Sequence, residues 1–257
     1  MRKWLLRGVC AVLLVGAIGF FTVRAVMNGP EFGAKMGQEH AKQMILSDQH
    51  NGKHFHNTPA PIAYDIWTNI TDMMGGQERT PPAPFPIVTP SLAPEAAAGL
   101  EAIWLGHATV LVELEGKRIL TDPMLSQHAF PVTSIAPARH NPSPIDLLEL
   151  PAINLVVISH DHYDHLDMKT IQYLAAKETK FFVGLGVGEH LRAWGVDDAR
   201  IQEMDWWESR SFNGLEIICT PARHYSGRRS MDNSTLWTSW VIKGKAHSVY
   251  HSGDSGY

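Results

Sequence analysis

The sequence predicts an α/β fold built as a sandwich, in which β-sheets are accompanied by helices. Three observations lead to this class. Short apolar runs rich in β-branched residues recur between residues 101 and 250, as expected for buried strands. Two stretches with a helical spacing of apolar residues, 168–177 and 188–194, lie among these runs. The turn Glu115-Gly116 joins two of the early strands into a hairpin.

Regular structure is predicted to begin near Glu101, and most of it is strand. Asn154–Ile158 is apolar over four of its five residues, which is typical of a strand buried on both faces. The second helix is followed by Gly195, a residue type that commonly ends helices. A looser Pro-rich stretch, 122–151, precedes Asn154–Ile158. The predicted strands are 102–105, 109–114, 117–120, 154–158, 180–183, 215–219, 237–242 and 248–250.

The composition of the 257 residues is that of a globular protein, with 44% hydrophobic and 19% charged residues. A formal net charge of −4 gives no indication of a nucleic-acid surface, so no nucleic-acid partner is expected. Fourteen His against six Tyr favour metal chemistry. Of the two cysteines, Cys10 lies in an apolar N-terminal run, so we expect Cys219 to be a buried thiol without a disulfide.

The N-terminal residues 1–25 read as a signal peptide or membrane anchor. Basic residues precede an apolar run from Gly8 to Val23, and Arg24 follows it. This arrangement orients the rest of the chain away from the cytoplasm. We therefore expect a cell-envelope location, with the folded domain outside the cytoplasm, and leave open whether the segment is cleaved.

Residues 26–95 are predicted to form a Pro- and Gly-rich extension without a core of its own. The prolines would interrupt any long element, so we expect an extended segment laid over a domain or a tether from the membrane. Residues 96–257 are assigned to the folded domain.

The chemistry of the chain is concentrated directly after the predicted strand 154–158. The run Ser159-His160-Asp161-His162-Tyr163-Asp164-His165 contains four candidate metal ligands within six positions. Imidazole and carboxylate ligands suit zinc and similar divalent ions. On a loop that leaves a strand, His160 and His162 would point to one ion, and Asp164 and His165 to a neighbouring one.

This run and four further motifs resemble the metallo-β-lactamase superfamily. Within it, the chain is similar to the branch that contains N-acylphosphatidylethanolamine-hydrolysing phospholipase D and the bacterial RomA-like proteins. The resemblance extends from about residue 50 to the end of the chain. The further motifs are Ile103-Trp104-Leu105-Gly106-His107-Ala108-Thr109, Leu120-Thr121-Asp122-Pro123, Thr220-Pro221-Ala222-Arg223-His224 and Ser252-Gly253-Asp254-Ser255-Gly256-Tyr257.

The resemblance implies a metallo-β-lactamase αβ/βα sandwich with a two-zinc (Zn²⁺) site at one edge of its sheets. His224 would join the first two histidines of the run on one zinc, and Asp254 would bridge this zinc to the one held by Asp164 and His165. His107 is expected to contact substrate or to hydrogen-bond to a metal ligand, with a purely structural hydrogen-bonding role left open. Asp122 is expected to orient a ligand His. The expected catalytic residues are thus Asp164, Asp254 and His107, and the expected metal ligands are His160, His162, Asp164, His165, His224 and Asp254.

The chain departs from the family pattern after Tyr257. The family usually supplies one more His to the second zinc from a loop beyond the bridging Asp, together with closing strands. We therefore expect an incomplete second half and weak occupancy of the second site. His251 precedes Asp254 closely, but we expect it to be a packed or exposed strand residue and not a substitute ligand.

The chemistry implies a metal-dependent hydrolase that uses a hydroxide bridging two metal ions. The resemblance adds a phospholipase D-type phosphodiesterase that acts on N-acylphosphatidylethanolamine-like lipids, and an N-terminal membrane segment would suit a lipid substrate. Two alternatives stay open: hydrolysis of another small molecule such as a lactone, and a truncated, non-catalytic envelope protein. Association into a homo-oligomer is also left open.

Overall fold

The structure of the protein, a computed structural model, describes residues 16–17, 19–34, 36–59, 81, 83–134, 136 and 138–256. The predicted N-terminal apolar run therefore lies largely outside the described residues, as does much of the Pro-rich extension. In the described part of the chain, no helix combines the length and the apolar character needed to span a membrane.

Two sheets form the architecture, and the α/β class predicted from the sequence is confirmed. The strands are β1 (Leu100–Gly106), β2 (Thr109–Leu114), β3 (Lys117–Thr121), β4 (Leu155–Ile158), β5 (Lys180–Gly184), β6 (Ile201–Met204), β7 (Ser209–Phe212), β8 (Leu215–Thr220), β9 (Ser239–Lys243) and β10 (Ser248–His251). The first sheet has the order β1-β2-β3-β4-β5-β6; its first three strands are antiparallel neighbours and the rest are parallel. The second sheet is antiparallel, in the order β10-β9-β8-β7.

In the described part of the chain, the sheets are accompanied by the α-helices α1 (Gln38–Met44), α2 (Met168–Ala175) and α3 (Gly188–Ala193). Asp167 begins α2 by accepting a hydrogen bond from the Lys169 amide, a standard way to satisfy a free N–H at a helix start. Short 3-10 turns occupy Pro30–Phe32, Leu147–Glu149 and Asp198–Arg200. The prediction missed α1, β6 and β7.

The inner strands of the first sheet, β2 to β5, are largely buried on both faces, which separates the core into two parts. One face packs Val157 and its neighbours against the second sheet, where Ile217 and Trp240 are fully buried. The other face packs Val156 and Ile158 against the helices. Because successive strand residues point to opposite faces, the continuous apolar run of β4 supplies both halves of the core.

The two sheets are also joined by hydrogen bonds beside the predicted metal loop. The Trp240 indole N–H donates to the carbonyl of Ile158 at 3.0 Å, and the Thr238 amide donates to the carbonyl of Ser159 at 2.8 Å. These bonds fix the end of β4 relative to the second sheet. As a result, loops from both sheets meet where β4 ends.

The N-terminal extension contacts the folded domain at several places. Phe32 is buried against Phe130 and Tyr163, with ring centroids 5.9 and 6.1 Å away. Phe55 is fully buried in the core between the sheets, and its amide donates to the carbonyl of Asn233. Phe32 and Phe55 therefore anchor the extension on the domain, close to the loops described next.

Candidate metal centre

The histidine-rich run forms the loop between β4 and α2, at the carboxyl end of a fully buried strand. Loops at this end of a parallel sheet commonly carry functional side chains. A single turn fixes the loop, because the amides of His165 and Leu166 both donate to the carbonyl of His162. The loop thus returns on itself and brings its polar side chains to one place.

Three imidazoles converge at the first position. The Nε2 atom of His160 lies 2.8 Å from Nδ1 of His162, and that Nδ1 lies 3.3 Å from Nε2 of His224. His224 reaches the group from the loop after β8, across the two sheets. Three ring nitrogens that all lie within 4.8 Å of one another form a donor set suited to a divalent ion.

A second group of donors lies next to the first. Asp164 Oδ2 is 2.9 Å from Nε2 of His107 and 3.8 Å from Nε2 of His165. Asp254, from the loop after β10, places Oδ1 3.2 Å from His165 Nε2 and Oδ2 4.0 Å from His224 Nε2. Asp254 therefore lies between the two groups, and all seven predicted catalytic or ligand residues meet at one site.

Asp122 is the anchor of this site and is fully buried. One oxygen, Oδ2, lies within 2.8 Å of Nδ1 of His165, Nε2 of His251 and Oγ of Ser159, while Oδ1 accepts from the Ser159 amide at 2.6 Å. If His165 donates its Nδ1 proton to this carboxylate, its Nε2 lone pair faces Asp254 and the interior of the site.

The fit of a metal ion can be tested on His165. Its Nε2 is buried and makes no hydrogen bond of adequate geometry, although Asp254 lies 3.2 Å away. A buried polar nitrogen without a partner is costly unless a further group satisfies it. Together with the three converging imidazoles, this atom indicates that the residues present fit divalent metal ions.

The electrostatics of the cluster separate neutral from charged imidazoles. Burial, reinforced by the neighbouring histidines, lowers the pKa of His160 to about 3 and that of His224 to about 4. For His165, burial also lowers the pKa, but the carboxylates of Asp122 and Asp254 outweigh it and raise the pKa to about 10. The pKa of Asp254 is lowered, mainly because the His165 imidazole lies beside its carboxylate. Neutral imidazoles are the form that binds metals.

Arg228 supports the underside of the loop. It is buried, and its Nη1 donates to the carbonyls of Asp161 and Leu166 at 2.9 Å each. The same guanidinium donates to the carbonyl of Glu31 in the N-terminal extension. The Asp161 side chain points away from the metal ligands and contacts His190 at 3.3 Å.

Several of these contacts were not foreseen from the sequence. His251 is a strand residue of β10, as predicted, but its ring also reaches Asp122. Ser159 and Arg228 carry no recognisable spacing signal, because their partners are backbone groups or a carboxylate distant in sequence. Adjacency to the histidine run is the one signal that could have identified Ser159.

An apolar groove opens beside the second group of donors. Its volume is about 580 Å³, and Trp104, His107 and Asp164 lie along it. The groove continues over a wall from the N-terminal extension that includes Phe85, Pro86, Ile87 and Val88. One end of an apolar channel therefore adjoins the candidate metal ligands.

The chain matches one family model and several known proteins. The Beta-lactamase superfamily domain matches residues 117–257. An uncharacterised protein of Mycobacterium tuberculosis is 47% identical over 69% of this chain and 48% of its own length. The N-acyl-phosphatidylethanolamine-hydrolyzing phospholipase D 1 of Caenorhabditis elegans is 39% identical over 62% of this chain and 48% of its own length. The chain thus spans about half the length of the curated relatives it matches.

Among solved structures, the diiron β-hydroxylase CmlA of Streptomyces venezuelae is 24% identical and has a TM-score of 0.45. The alignment covers 67% of this chain and 30% of that one.

Proposed function

Because this chain belongs to the β-lactamase superfamily of metal-dependent hydrolases, we propose that it is a phospholipase D-type phosphodiesterase acting on N-acylphosphatidylethanolamine-like lipids. The reaction adds water across the bond between phosphorus and the head-group oxygen. Its products are phosphatidic acid and an N-acylethanolamine. The similarity to the Caenorhabditis elegans enzyme supports this choice of substrate.

The observation that carries the proposal is the apolar groove that ends at the second group of donors. Its wall from the N-terminal extension exposes Phe85, Ile87 and Val88 to solvent, and Trp104 is 62% exposed on the strand opposite. Exposed apolar side chains that line one concavity favour an apolar ligand. An acyl chain in this groove would leave its polar head at His107 and Asp164.

We propose zinc as the metal, since imidazole and carboxylate ligands are its usual set. His160, His162 and His224 would hold one ion; Asp164 and His165 would hold the other, with Asp254 between them. When bound, the ions would act as Lewis acids that polarise the substrate and lower the pKa of water.

The protein's own residues orient these groups and hold protons. Asp122 holds the Nδ1 proton of His165 and so fixes which nitrogen of that ring faces the site. His107 is half exposed at the end of the groove, with its Nε2 2.9 Å from Asp164, so it is placed to contact the substrate's polar head. The Trp104 indole donates to the His107 carbonyl at 2.8 Å and fixes this turn.

A cell-envelope location fits this function. The basic residues and apolar run of the first 25 residues would hold the domain at a membrane, outside the cytoplasm, where a phospholipid substrate is presented. Fusion of residues 1–30 to a reporter enzyme that is active only after export tests this location directly. Reporter activity no higher than that of a leaderless fusion would contradict it.

The function is tested with purified protein and vesicles that contain N-acylphosphatidylethanolamine, with release of N-acylethanolamine as the readout. The His162→Ala variant should lose this activity. Asp167→Asn is the matched control, because Asp167 begins helix α2 next to the loop and contacts none of the metal donors. Activity on lactones alone would redirect the proposal to another substrate, and no turnover by a metal-loaded protein would favour a non-catalytic role.

A further inference from the structure

Asn57, in the described part of the N-terminal extension, reaches the metal centre through the backbone of His224. It follows the fully buried Phe55 by two positions, so the chain that carries it is anchored in the core. Asn51 stabilises the preceding turn, where its Oδ1 accepts from the amides of Lys53 and His54. The position of Asn57 is therefore set from both the core and the local turn.

The side chain of Asn57 makes two hydrogen bonds to the backbone of one residue, His224. Its Nδ2 donates to the His224 carbonyl at 2.7 Å, and its Oδ1 accepts from the His224 amide at 3.1 Å. An amide side chain that pairs with both backbone groups of a residue reproduces the pairing between two strands. It fixes the orientation of that peptide without using the imidazole.

A third contact holds the Asn57 amide in the required orientation. The Trp237 indole N–H lies 3.1 Å from Asn57 Oδ1 and 3.0 Å from the carbonyl of Ala222. Trp237 is 1% exposed, so this donor is shielded from water. The indole can only donate, which identifies the atom of Asn57 beside it as oxygen.

The opposite side of the His224 loop is tied to the loop that carries Asp254. Ser255 Oγ accepts from the Arg223 amide at 3.0 Å, and the Gly256 amide donates to the Arg223 carbonyl at 2.8 Å. The loop between β8 and β9 is thus held between Asn57 and the Asp254 loop. Without Asn57, the His224 backbone would lose both of its bonds to that side.

We propose that Asn57 is a positioning residue for the metal centre: it fixes the His224 backbone so that this imidazole meets those of His160 and His162. The inference rests on the proposed function in one respect, namely that His224 is a metal ligand. Residues that orient a ligand typically contribute about 10- to 100-fold to metal affinity. The N-terminal extension would then contribute to metal binding through Asn57.

The test compares Asn57→Ala and the isosteric Asn57→Asp with wild type, using zinc affinity from competition with a chelating dye. Both variants should bind zinc about 10- to 100-fold more weakly, since Ala removes both bonds and Asp replaces the donor with an oxygen that repels the His224 carbonyl. Lys53→Ala is the control: it truncates an exposed side chain of the same segment without touching the site. Unchanged affinity in both Asn57 variants would overturn the inference.

A second readout separates this inference from the proposed function. Hydrogen exchange of the His224 amide should be faster in the Asn57 variants than in the Lys53→Ala control at equal global stability. If wild type bound no divalent metal, the proposed function would fail, and this exchange difference alone would decide the role of Asn57. Equal exchange in all variants, or failure of both Asn57 variants to fold, would mean that Asn57 has no specific positioning role.

Discussion

Replacing Asp122 by Asn should lower both stability and zinc affinity, although every proposed ligand residue is kept. In the native site, the carboxylate accepts from the Ser159 amide and hydroxyl and contacts a ring nitrogen of His165 and of His251. Asn offers one acceptor and one donor where Asp offers two acceptors. Its NH₂ group would therefore face nitrogens that donate protons in the wild type.

The magnitude follows from these four contacts. Converting a charge-assisted hydrogen bond into a neutral one costs about 1 kcal/mol, so four contacts predict a loss of roughly 2–4 kcal/mol in the free energy of unfolding. The His165 ring can also respond by moving its proton from Nδ1 to Nε2, which faces the metal position. That tautomer cannot bind metal through Nε2, so zinc affinity should fall by at least about 10- to 100-fold.

The assays are urea denaturation for stability and dye competition for zinc affinity. Asp167→Asn is the control, because Asp167 likewise accepts four hydrogen bonds, from Ser126, Lys169 and Thr170, but contacts no histidine of the site. It should lose stability and keep its zinc affinity. If Asp122→Asn bound zinc as tightly as Asp167→Asn, the proposed orientation of His165 would be refuted.

Three further outcomes are expected. Val88→Asp, on the exposed wall of the groove, should raise KM about 10-fold for long-chain substrates, because burial of a Val by a bound acyl chain contributes about 1.5 kcal/mol. KM for short-chain substrates should stay unchanged. An equal increase of KM for both would argue against acyl binding in the groove. In the metal-free protein, the pKa values of His160 and His224 are lowered, so below pH 6.5 the unfolded chain takes up protons at these residues and the folded chain does not. Urea denaturation should therefore show that the free energy of unfolding falls by roughly 2 kcal/mol per histidine between pH 6.5 and 5. A free energy of unfolding that did not change over this pH range would contradict this. Cys219 is fully buried, and burial raises the pKa of its thiol. In a Cys10→Ser background, a thiol reagent should therefore react with Cys219 only after denaturation. Rapid reaction with the folded protein would disprove the burial of Cys219.

The strands that were predicted well are those whose ends are marked in the sequence by turn residues. Thr109–Leu114 was predicted with both ends correct, because the turn at Glu115-Gly116 separates two apolar runs. Ser209–Phe212 was missed because it is a polar edge strand, with three exposed residues and pairing to β8 alone. Ile201–Met204 was missed for a related reason: it is an edge strand that pairs with β5 alone, and the polar Gln202 and Glu203 interrupt its apolar pattern.

The residues of the candidate site also fall into those that the sequence predicts and those that it does not. The histidine run is local in sequence, so its chemistry can be read from spacing, and the resemblance to a family supplied His224 and Asp254. Asn57 could not be predicted, because its partner lies 167 positions away and is a backbone group. A contact to a peptide bond leaves no trace in the identity of the residue contacted.

The central claim is that these loops form a divalent-metal centre, and the most direct test is metal content. Purified protein would be stripped with a chelator, equilibrated with zinc, passed through gel filtration and measured by elemental analysis beside His162→Ala. Wild type should retain at least about one zinc ion per chain, as expected for three converging imidazoles, and the variant markedly less. A correctly folded wild-type protein that retained no zinc, or as much as the variant, would contradict the account.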